Sequence, residues 1–247
     1  MGGWDDYLAA FHAERPGITE DVLTRALADD GRDAYDWLAH ALPDVGLTVD
    51  VACGSGPLAG RVTGRWMGVD RHRAELGLAV AATPGRLTVG DAASLPVRPG
   101  AADAVACSMG LMLFDDPGAA AGEMARLLRP GGLLVVLLPT DRPLRARDRV
   151  RYARLLAALR LRRVPFRRPR VLADPRSLLA AAGLTVTRDE QRRFAFPFTD
   201  PHDGVLWLRS LYLPGLDARR WRGAQRVVGR WTGSDIGIPL RRLIAVR

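Results

Sequence analysis

The sequence contains no lysine and no asparagine, so all 36 of its basic residues are arginine. The formal net charge of +9 at pH 7 therefore rests on arginine alone. This bias, with abundant alanine, glycine and proline, is typical of genes rich in G and C, and a protein from such a genome still needs surface charge for solubility. The overall charge does not by itself indicate a nucleic-acid-binding protein.

Cysteine and long apolar runs are equally scarce. The two cysteines, Cys53 and Cys107, cannot form a disulfide framework, and no spacing of Cys and His is typical of a zinc site. The longest apolar run, residues 133–139, is too short to span a bilayer, and no basic stretch followed by an apolar run indicates a secretion signal. We therefore expect a cytoplasmic protein with no bound metal and no membrane contact.

Short apolar segments alternate with segments of helical periodicity along the chain. Strands are predicted at 47–52, 66–70, 86–91, 103–108, 133–138, 184–187 and 238–247, and helices at 21–27, 35–42, 72–82, 116–128, 174–183 and 200–211. This alternation predicts one α/β domain over residues 1–247, with a doubly wound, mostly parallel seven-stranded sheet. Its parts are N-terminal cap helices (1–45), a core (46–140), an arginine-rich helical insertion (141–172) and a segment that covers the substrate (197–234).

A glycine-rich loop, Cys53-Gly-Ser-Gly-Pro, follows the first predicted strand. Glycines there let the backbone approach a ligand and expose amides at a helix N-terminus. Dinucleotide-binding proteins use a related G-x-G-x-x-G turn, whose third glycine would fall at Ala59. Because Gly60 permits a looser spacing, the spacing alone does not exclude a nicotinamide dinucleotide.

Two aspartates follow at the ends of the next two predicted strands. Asp70 ends the second strand, where a carboxylate can accept both hydroxyl groups of a ribose. Asp91 ends the third strand, where a carboxylate can accept a hydrogen bond from an adenine amino group while the Ala92 amide donates to the ring. The carboxyl ends of neighbouring parallel strands meet at one edge of the sheet, so these groups are expected to face one nucleoside.

The segments Val49–Gly56, Gly68-Val-Asp70, Gly90-Asp-Ala92, 102–108 and Leu127–Gly132 resemble the ordered motifs of class I S-adenosylmethionine-dependent methyltransferases. The branch that the chain most resembles is the one typified by quinone-biosynthesis C-methyltransferases and many small-molecule enzymes. The resemblance covers residues 45–140 in detail. It implies a Rossmann-like methyltransferase fold, S-adenosylmethionine as cofactor, and methyl transfer to a small organic acceptor, in specialised metabolism.

The resemblance also implies roles for individual residues. Gly54, Ser55 and Gly56 would line the methionine part of the cofactor. Asp70 would hold the ribose, Asp91 and Ala92 the adenine, and Ser108 and Met109 would lie near the sulfonium and the acceptor. The predicted cofactor-binding set is Asp50, Cys53, Gly54, Ser55, Gly56, Asp70, Arg71, Asp91, Ala92, Ser108 and Met109. Ala52 departs from the family, in which many members carry glycine at this position.

Methyl transfer from a sulfonium is a direct displacement, so a general base is needed only if the acceptor must lose a proton. Candidates are His12, Tyr7, His202 and Tyr212, and none is assigned as catalytic. The acceptor pocket is expected between the N-terminal helices and the segment 197–234. Aromatic rings in and just before this segment suggest an apolar acceptor: Phe194, Phe196, Phe198, Trp207, Tyr212, Trp221 and Trp231.

Residues 141–170 contain twelve arginines and two aspartates around an apolar stripe that predicts one amphipathic helix. The arginines are interpreted either as a solvated face or as a site for an anionic substrate, an acidic carrier protein or RNA phosphates. Two alternative functions therefore stay open: an RNA methyltransferase that uses this insertion, and a methyltransferase-fold protein that uses S-adenosylmethionine for cyclisation. The sequence indicates neither the acceptor nor the oligomeric state.

Overall fold

The computed structural model describes residues 3–80, 83 and 86–247, so residues 1 and 2 of the predicted cap and residues 81 and 82 of the predicted helix 72–82 lie outside it. The strands are β1 (Leu47–Val51), β2 (Arg65–Asp70), β3 (Leu87–Val89), β4 (Ala102–Ser108), β5 (Leu128–Pro139), β6 (Thr185–Phe198) and β7 (Ser234–Val246). They form one sheet in the order β3-β2-β1-β4-β5-β7-β6. Strands β1 to β5 pair in parallel, and only β7 runs antiparallel to its neighbours. The predicted doubly wound, mostly parallel sheet is confirmed.

Ten α-helices in the described residues cover this sheet: α1 (Trp4–Glu14), α2 (Ile18–Arg25), α3 (Ala34–Ala39), α4 (Arg73–Ala79), α5 (Pro117–Leu127), α6 (Ala146–Leu159), α7 (Pro169–Ala173), α8 (Pro175–Ala181), α9 (Pro201–Ser210) and α10 (Ala218–Val228). Three of them begin at the predicted Asp-Pro pairs. Asp116, Asp174 and Asp200 each accept backbone N–H groups of the first helical turn, which satisfies donors that a helix start leaves free. Among the described residues, no helix has both the length and the apolar composition needed to cross a bilayer.

Several boundaries differ from those predicted. β3 ends at Val89, so Asp91 lies two residues beyond the strand. β6 extends to Phe198 and β7 begins at Ser234, so both strands are longer than predicted. The first half of β6 is polar because it lies at the sheet edge, where one face can meet water, and an apolar run therefore does not mark it. The arginine-rich insertion forms two helices, α6 and α7, where one was predicted. The helices α1 and α10 were not delimited by the sequence patterns.

Two apolar cores lie on the two faces of the sheet. On one face, α2, α3, α6, α9 and α10 pack over β5, β6 and β7 around a group of aromatic rings. On the other face, α5 and α8 pack against the apolar centres of β1, β4 and β5. Burying a ring such as that of Phe196 contributes about 1.5–3 kcal/mol, so this packing fixes the strands whose ends build the site.

Candidate active site

A cavity of about 250 Å³ lies at the carboxyl ends of β1, β2 and β4, beyond β3, and beneath α1 and α2. The strand order reverses between β1 and β4, which is where open α/β sheets bind ligands. Its wall on the sheet side includes Gly54, Asp70, Asp91, Ser108 and Met109. The opposite wall comes from the cap helices and from α3, and includes Leu8, His12, Thr19, Glu20 and Tyr35.

Seven of the eleven predicted cofactor-binding residues line this cavity: Gly54, Asp70, Arg71, Asp91, Ala92, Ser108 and Met109. The other four, Asp50, Cys53, Ser55 and Gly56, lie in β1 or the glycine-rich loop and are not part of the lining. Asp50 is buried, and the burial raises its pKa to about 8. Burial also raises the pKa of both thiols, that of Cys107 to about 12, which makes them poor nucleophiles.

Asp70 connects the glycine-rich loop to the turn that follows β2. Its Oδ2 atom accepts the Gly54 N–H at 2.9 Å, and its Oδ1 atom accepts the His72 N–H at 2.8 Å. Burial raises the pKa of Asp70, and these two amides offset only part of the effect. Each carboxylate oxygen can accept more than one hydrogen bond, so Asp70 retains acceptor capacity toward the cavity.

Features of the wall fit a nucleoside cofactor bearing an amino acid. Gly54 has φ +55°, and a Cβ built there would overlap Oε1 of Glu20, so only glycine leaves the loop backbone accessible. The hydroxyl oxygens of Ser108 and Thr19 are buried, and they face the hydroxyls of Tyr35 and Tyr212 without completing a well-formed hydrogen bond in the described part of the chain. Buried hydroxyls are normally paired, so a ligand is their expected partner.

The cap helix α1 is attached to the core by specific contacts. The Nδ1 atom of His12 lies 2.7 Å from Oε1 of Glu75 at the start of α4. The second oxygen of Glu75 accepts the Gly17 N–H at 2.8 Å, which fixes the start of α2 as well. The His12 ring stacks on His72 with centroids 4.5 Å apart. Burial, followed by the charge on His12, lowers the pKa of His72 to about 4, so His72 is neutral near pH 7.

Arg167 is the member of the arginine-rich insertion that reaches the cavity. Its guanidinium contacts Asp115, lies 2.7 Å from Asp5 of α1 and donates to the Leu113 carbonyl at 3.0 Å. Only 8% of its side chain is exposed. Arg167 therefore joins the insertion, the cap helix and the loop after β4.

The aromatic rings predicted to line an acceptor pocket lie elsewhere. Phe194, Phe196 and Phe198 occupy alternate positions of β6 and point into the core, where Trp207 and Trp231 pack against Phe198. That prediction is therefore wrong for these five rings, and Trp221 packs against the same core. Tyr212 is the one residue of the segment 197–234 that lines the cavity, and the covering role of the segment stays a prediction.

The four candidate bases are now distinguished by position. His12 and Tyr212 line the cavity, whereas the Tyr7 hydroxyl accepts the Leu213 N–H at 2.7 Å and holds the cap in place. His202 is exposed on α9 and is not part of the lining. Burial raises the pKa of Tyr212 far above neutrality, so His12 is the better proton acceptor of the two.

Comparison with known proteins agrees with this geometry. Residues 49–136, from β1 to within β5, match the family described as a methyltransferase domain. The chain therefore contains a methyltransferase domain of the class I, S-adenosylmethionine-dependent type. The matched residues of this chain include the glycine-rich loop, Asp70, Asp91 and Ser108, which meet at the cavity. No protein of curated function matches the sequence significantly.

Solved structures share the fold of this methyltransferase. One, described by the conversion of a disulfide bond into a thioacetal group during echinomycin biosynthesis, has a TM-score of 0.60 and 18% identity, over 99% of this chain and 93% of that chain. The cyclase SpnF has a TM-score of 0.56 and 21% identity, over 86% and 79%. An S-adenosylmethionine-dependent methyltransferase from Thermotoga maritima has a TM-score of 0.54 and 16% identity, over 98% of each chain.

Among the polar cavity residues that sequence reasoning missed are Glu20, Tyr35, Glu75 and Arg167. The first three lie on short helices, where an acid in the first turn or an aromatic on an apolar face has an ordinary structural explanation. Within the described ranges, no group of three or more His, Cys, Asp or Glu side chains is arranged to hold a metal ion.

Proposed function

We propose that this enzyme transfers the methyl group of S-adenosylmethionine to a small organic acceptor, in specialised metabolism. The observation that carries the proposal is the cavity itself, which has predicted cofactor-binding residues on the sheet side and is covered by α1 and α2. The uncharged part of its lining, which includes Leu8, Leu113 and Tyr212, favours an acceptor with apolar surface. A cavity covered in this way suits a small molecule better than a polynucleotide.

Bound S-adenosylmethionine would supply a methyl group on a sulfonium, from which a neutral thioether is a good leaving group. The chain's own residues would bind the cofactor and orient the acceptor. Asp70 would accept hydrogen bonds from ribose hydroxyls, and Asp91 with the Ala92 amide would hold the adenine. Met109, Leu113 and Leu8 would exclude water around the acceptor and help to orient it.

His12 is the residue that would take a proton from an acceptor with a hydroxyl or amine. Its Nδ1 atom is engaged by Glu75, which leaves Nε2 for the acceptor and stabilises the imidazolium that forms. His72, stacked on the His12 ring, stays neutral and does not compete for this proton at pH 7. A carbon acceptor that is already nucleophilic would not need His12.

Calorimetric titration with S-adenosylhomocysteine, with NADPH as control, tests the cofactor. We expect binding of S-adenosylhomocysteine alone, and a loss of about 100-fold in affinity in Asp70→Ala, because Asp70 both binds the ribose and fixes Gly54. Binding of NADPH instead would make the chain a reductase. Binding of neither ligand would contradict the cofactor assignment.

Product analysis then separates methylation from the two alternatives. Incubation with candidate acceptors should give a product heavier by one methyl group. The similarity in fold to the cyclase SpnF makes a product of unchanged mass the outcome that would assign a non-methylating reaction. RNA retention that falls steeply with salt would favour the RNA methyltransferase alternative. A cytoplasmic location stays a prediction from the sequence.

A further inference from the structure

The wall opposite the glycine-rich loop contains the carboxylate of Glu20 on α2. Its Oε1 atom occupies the position where a side chain on Gly54 would lie. The absence of a side chain at position 54 therefore lets a carboxylate from the cap rest directly against the loop backbone. The sheet and the cap meet at this point.

Glu20 is held in this position by the contacts at the start of α2. The Gly17 N–H donates to Glu75 at 2.8 Å, which attaches the helix start to α4. Gly17 also lies close to Ser55, since a Cβ built on it would be 3.7 Å from the Ser55 Cβ. Glu20 follows Gly17 by three residues, and residues three apart lie on the same side of a helix. Because the start of α2 faces the glycine-rich loop, the Glu20 carboxylate faces it as well.

The charge around Glu20 is unusual for a chain with a net charge of +9. In the described residues, no arginine lies within ion-pair distance of Glu20, Asp50 or Asp70. Burial and the charge of Glu75 together raise the pKa of Glu20 to about 7, although the backbone amides of Glu20 and Ser55 and the charge of His12 offset part of the effect. The titratable groups that face Glu20 are His12, Tyr35, Asp50, Cys53, Glu75 and Tyr212.

An unpartnered hydroxyl in the same wall indicates independently that a ligand binds here. Thr19, the residue before Glu20, lines the cavity, and its buried Oγ1 atom faces the Tyr212 hydroxyl without completing a well-formed hydrogen bond in the described chain. A ligand with both donor and acceptor groups would satisfy the hydroxyl and the carboxylate together. An amino acid moiety, with an ammonium and a carboxylate on one carbon, has this combination.

We propose that Glu20 is a cofactor-binding residue whose carboxylate receives the ammonium group of the methionine part of S-adenosylmethionine. This rests on the proposed cofactor site, in which Gly54, Ser55 and Gly56 line the methionine part. A charge-assisted hydrogen bond between an ammonium and a carboxylate is among the stronger polar contacts in proteins. Because Glu20 belongs to the cap, the cofactor would link the cap to the sheet, and the carboxyl proton would pass to solvent as the ammonium binds.

Calorimetry with two ligands tests the contact. S-adenosylhomocysteine carries the amino acid moiety, and methylthioadenosine is the same nucleoside thioether without it. We expect Glu20→Gln to weaken S-adenosylhomocysteine about 10- to 100-fold and methylthioadenosine less than about twofold, since only the first ligand has the ammonium. The matched control is Asp21→Asn, an exposed acid on the same helix, for which both affinities should be unchanged.

Proton release gives a readout that needs no variant. Titrations of the wild-type protein at pH 6.5 in phosphate and in an amine buffer should differ in heat, because Glu20 loses a proton when S-adenosylhomocysteine binds. Binding of methylthioadenosine should release fewer protons. At pH 8.5 the difference should shrink, since most of the carboxyl is already ionised.

The outcomes separate this inference from the proposed function. If the wild-type protein binds neither ligand, the cofactor site itself is contradicted. If it binds both, and Glu20→Gln leaves both affinities and the proton release unchanged, only the role of Glu20 is overturned. An equal loss for both ligands would also overturn it, because the contact would then not involve the amino acid moiety.

Discussion

Asp50 and Asp148 are both buried aspartates, yet their surroundings shift their pKa values in opposite directions. Asp50 lies below the cavity, where burial raises its pKa to about 8 and the charges of Asp70 and Glu20 add to the effect. Burial alone would also raise the pKa of Asp148, but hydrogen bonds from Arg193 and two backbone amides lower it below its usual value.

The same contrast extends to the neighbours of each aspartate. At the β6–β7 edge, hydrogen bonds from Arg241 and Arg176 lower the pKa of Asp189 to about 2. At the cavity, Glu20 and Asp70 have raised pKa values and no arginine partner among the described residues. Arginine therefore neutralises the acids that hold the fold together, whereas Glu20 and Asp70, on opposite walls of the cavity, are left for a ligand. The positive charge of a sulfonium cofactor suits this arrangement.

Removing the carboxylate of Asp148, which lies on α6 and contacts β6 and β7, should have the largest effect on stability. Asp148→Ala leaves Arg193 buried with only Asp235 as partner, and we expect a loss of about 3–5 kcal/mol in the free energy of unfolding. Urea unfolding measures this loss. Asp29→Ala is the control, because Asp29 forms an exposed ion pair with Arg145 that should contribute less than about 1 kcal/mol. Equal losses in both variants would show that the buried pair of Asp148 and Arg193 contributes no more to stability than an exposed ion pair.

Within the cavity, His12→Gln tests function instead of stability. For an acceptor that loses a proton, kcat should fall about 100-fold or more, with the affinity for S-adenosylhomocysteine nearly unchanged, because glutamine cannot accept the proton. Steady-state kinetics measure the change. The control is His202→Gln, which alters an exposed histidine outside the cavity lining. An equal decrease in both variants would assign the proton transfer to another group.

The smallest effect, and the opposite sign, is expected for Asp50→Asn. The folded protein keeps a proton on Asp50 up to about pH 8, whereas the unfolded chain loses it near 3.8, so stability falls as pH rises between these values. Asparagine does not ionise, so the variant should gain about 1.4 kcal/mol over wild type between pH 6.5 and 7.5. Thermal unfolding of the cofactor-free protein at both pH values measures this gain. A constant difference between the two proteins would show that Asp50 does not titrate in this range.

The sheet was largely predictable because its signals are local. Buried parallel strands are short apolar runs, and each Asp-Pro pair satisfies the free donors of a helix start regardless of distant contacts. The ends of β6 and β7 were not predictable, because their residues pair across two strands at separations of up to 61 residues, as Thr185 and Val246 do. Phe194, Phe196 and Phe198 carried a missed signal, since spacing by two residues indicates one face of a strand.

The candidate site divides in the same way. The residues contributed by β1, β2 and β4 and the turn after β3 follow strand ends, so their order along the chain predicts that they meet. Glu20, Glu75 and Arg167 come from helices whose packing on the sheet no local pattern specifies. His12 was a candidate only because of its chemistry, and its partner Glu75 lies 63 residues away.

The position of β7 has a consequence for synthesis of the chain. β7 lies between β5 and β6, both of which are translated before it. Until residues 234–246 leave the ribosome, the backbone groups of β5 and β6 that face β7 have no strand to pair with, and unpaired strand edges promote aggregation. The sheet therefore closes only after β7 has been made, and chaperone supply before this point should affect the yield of folded enzyme.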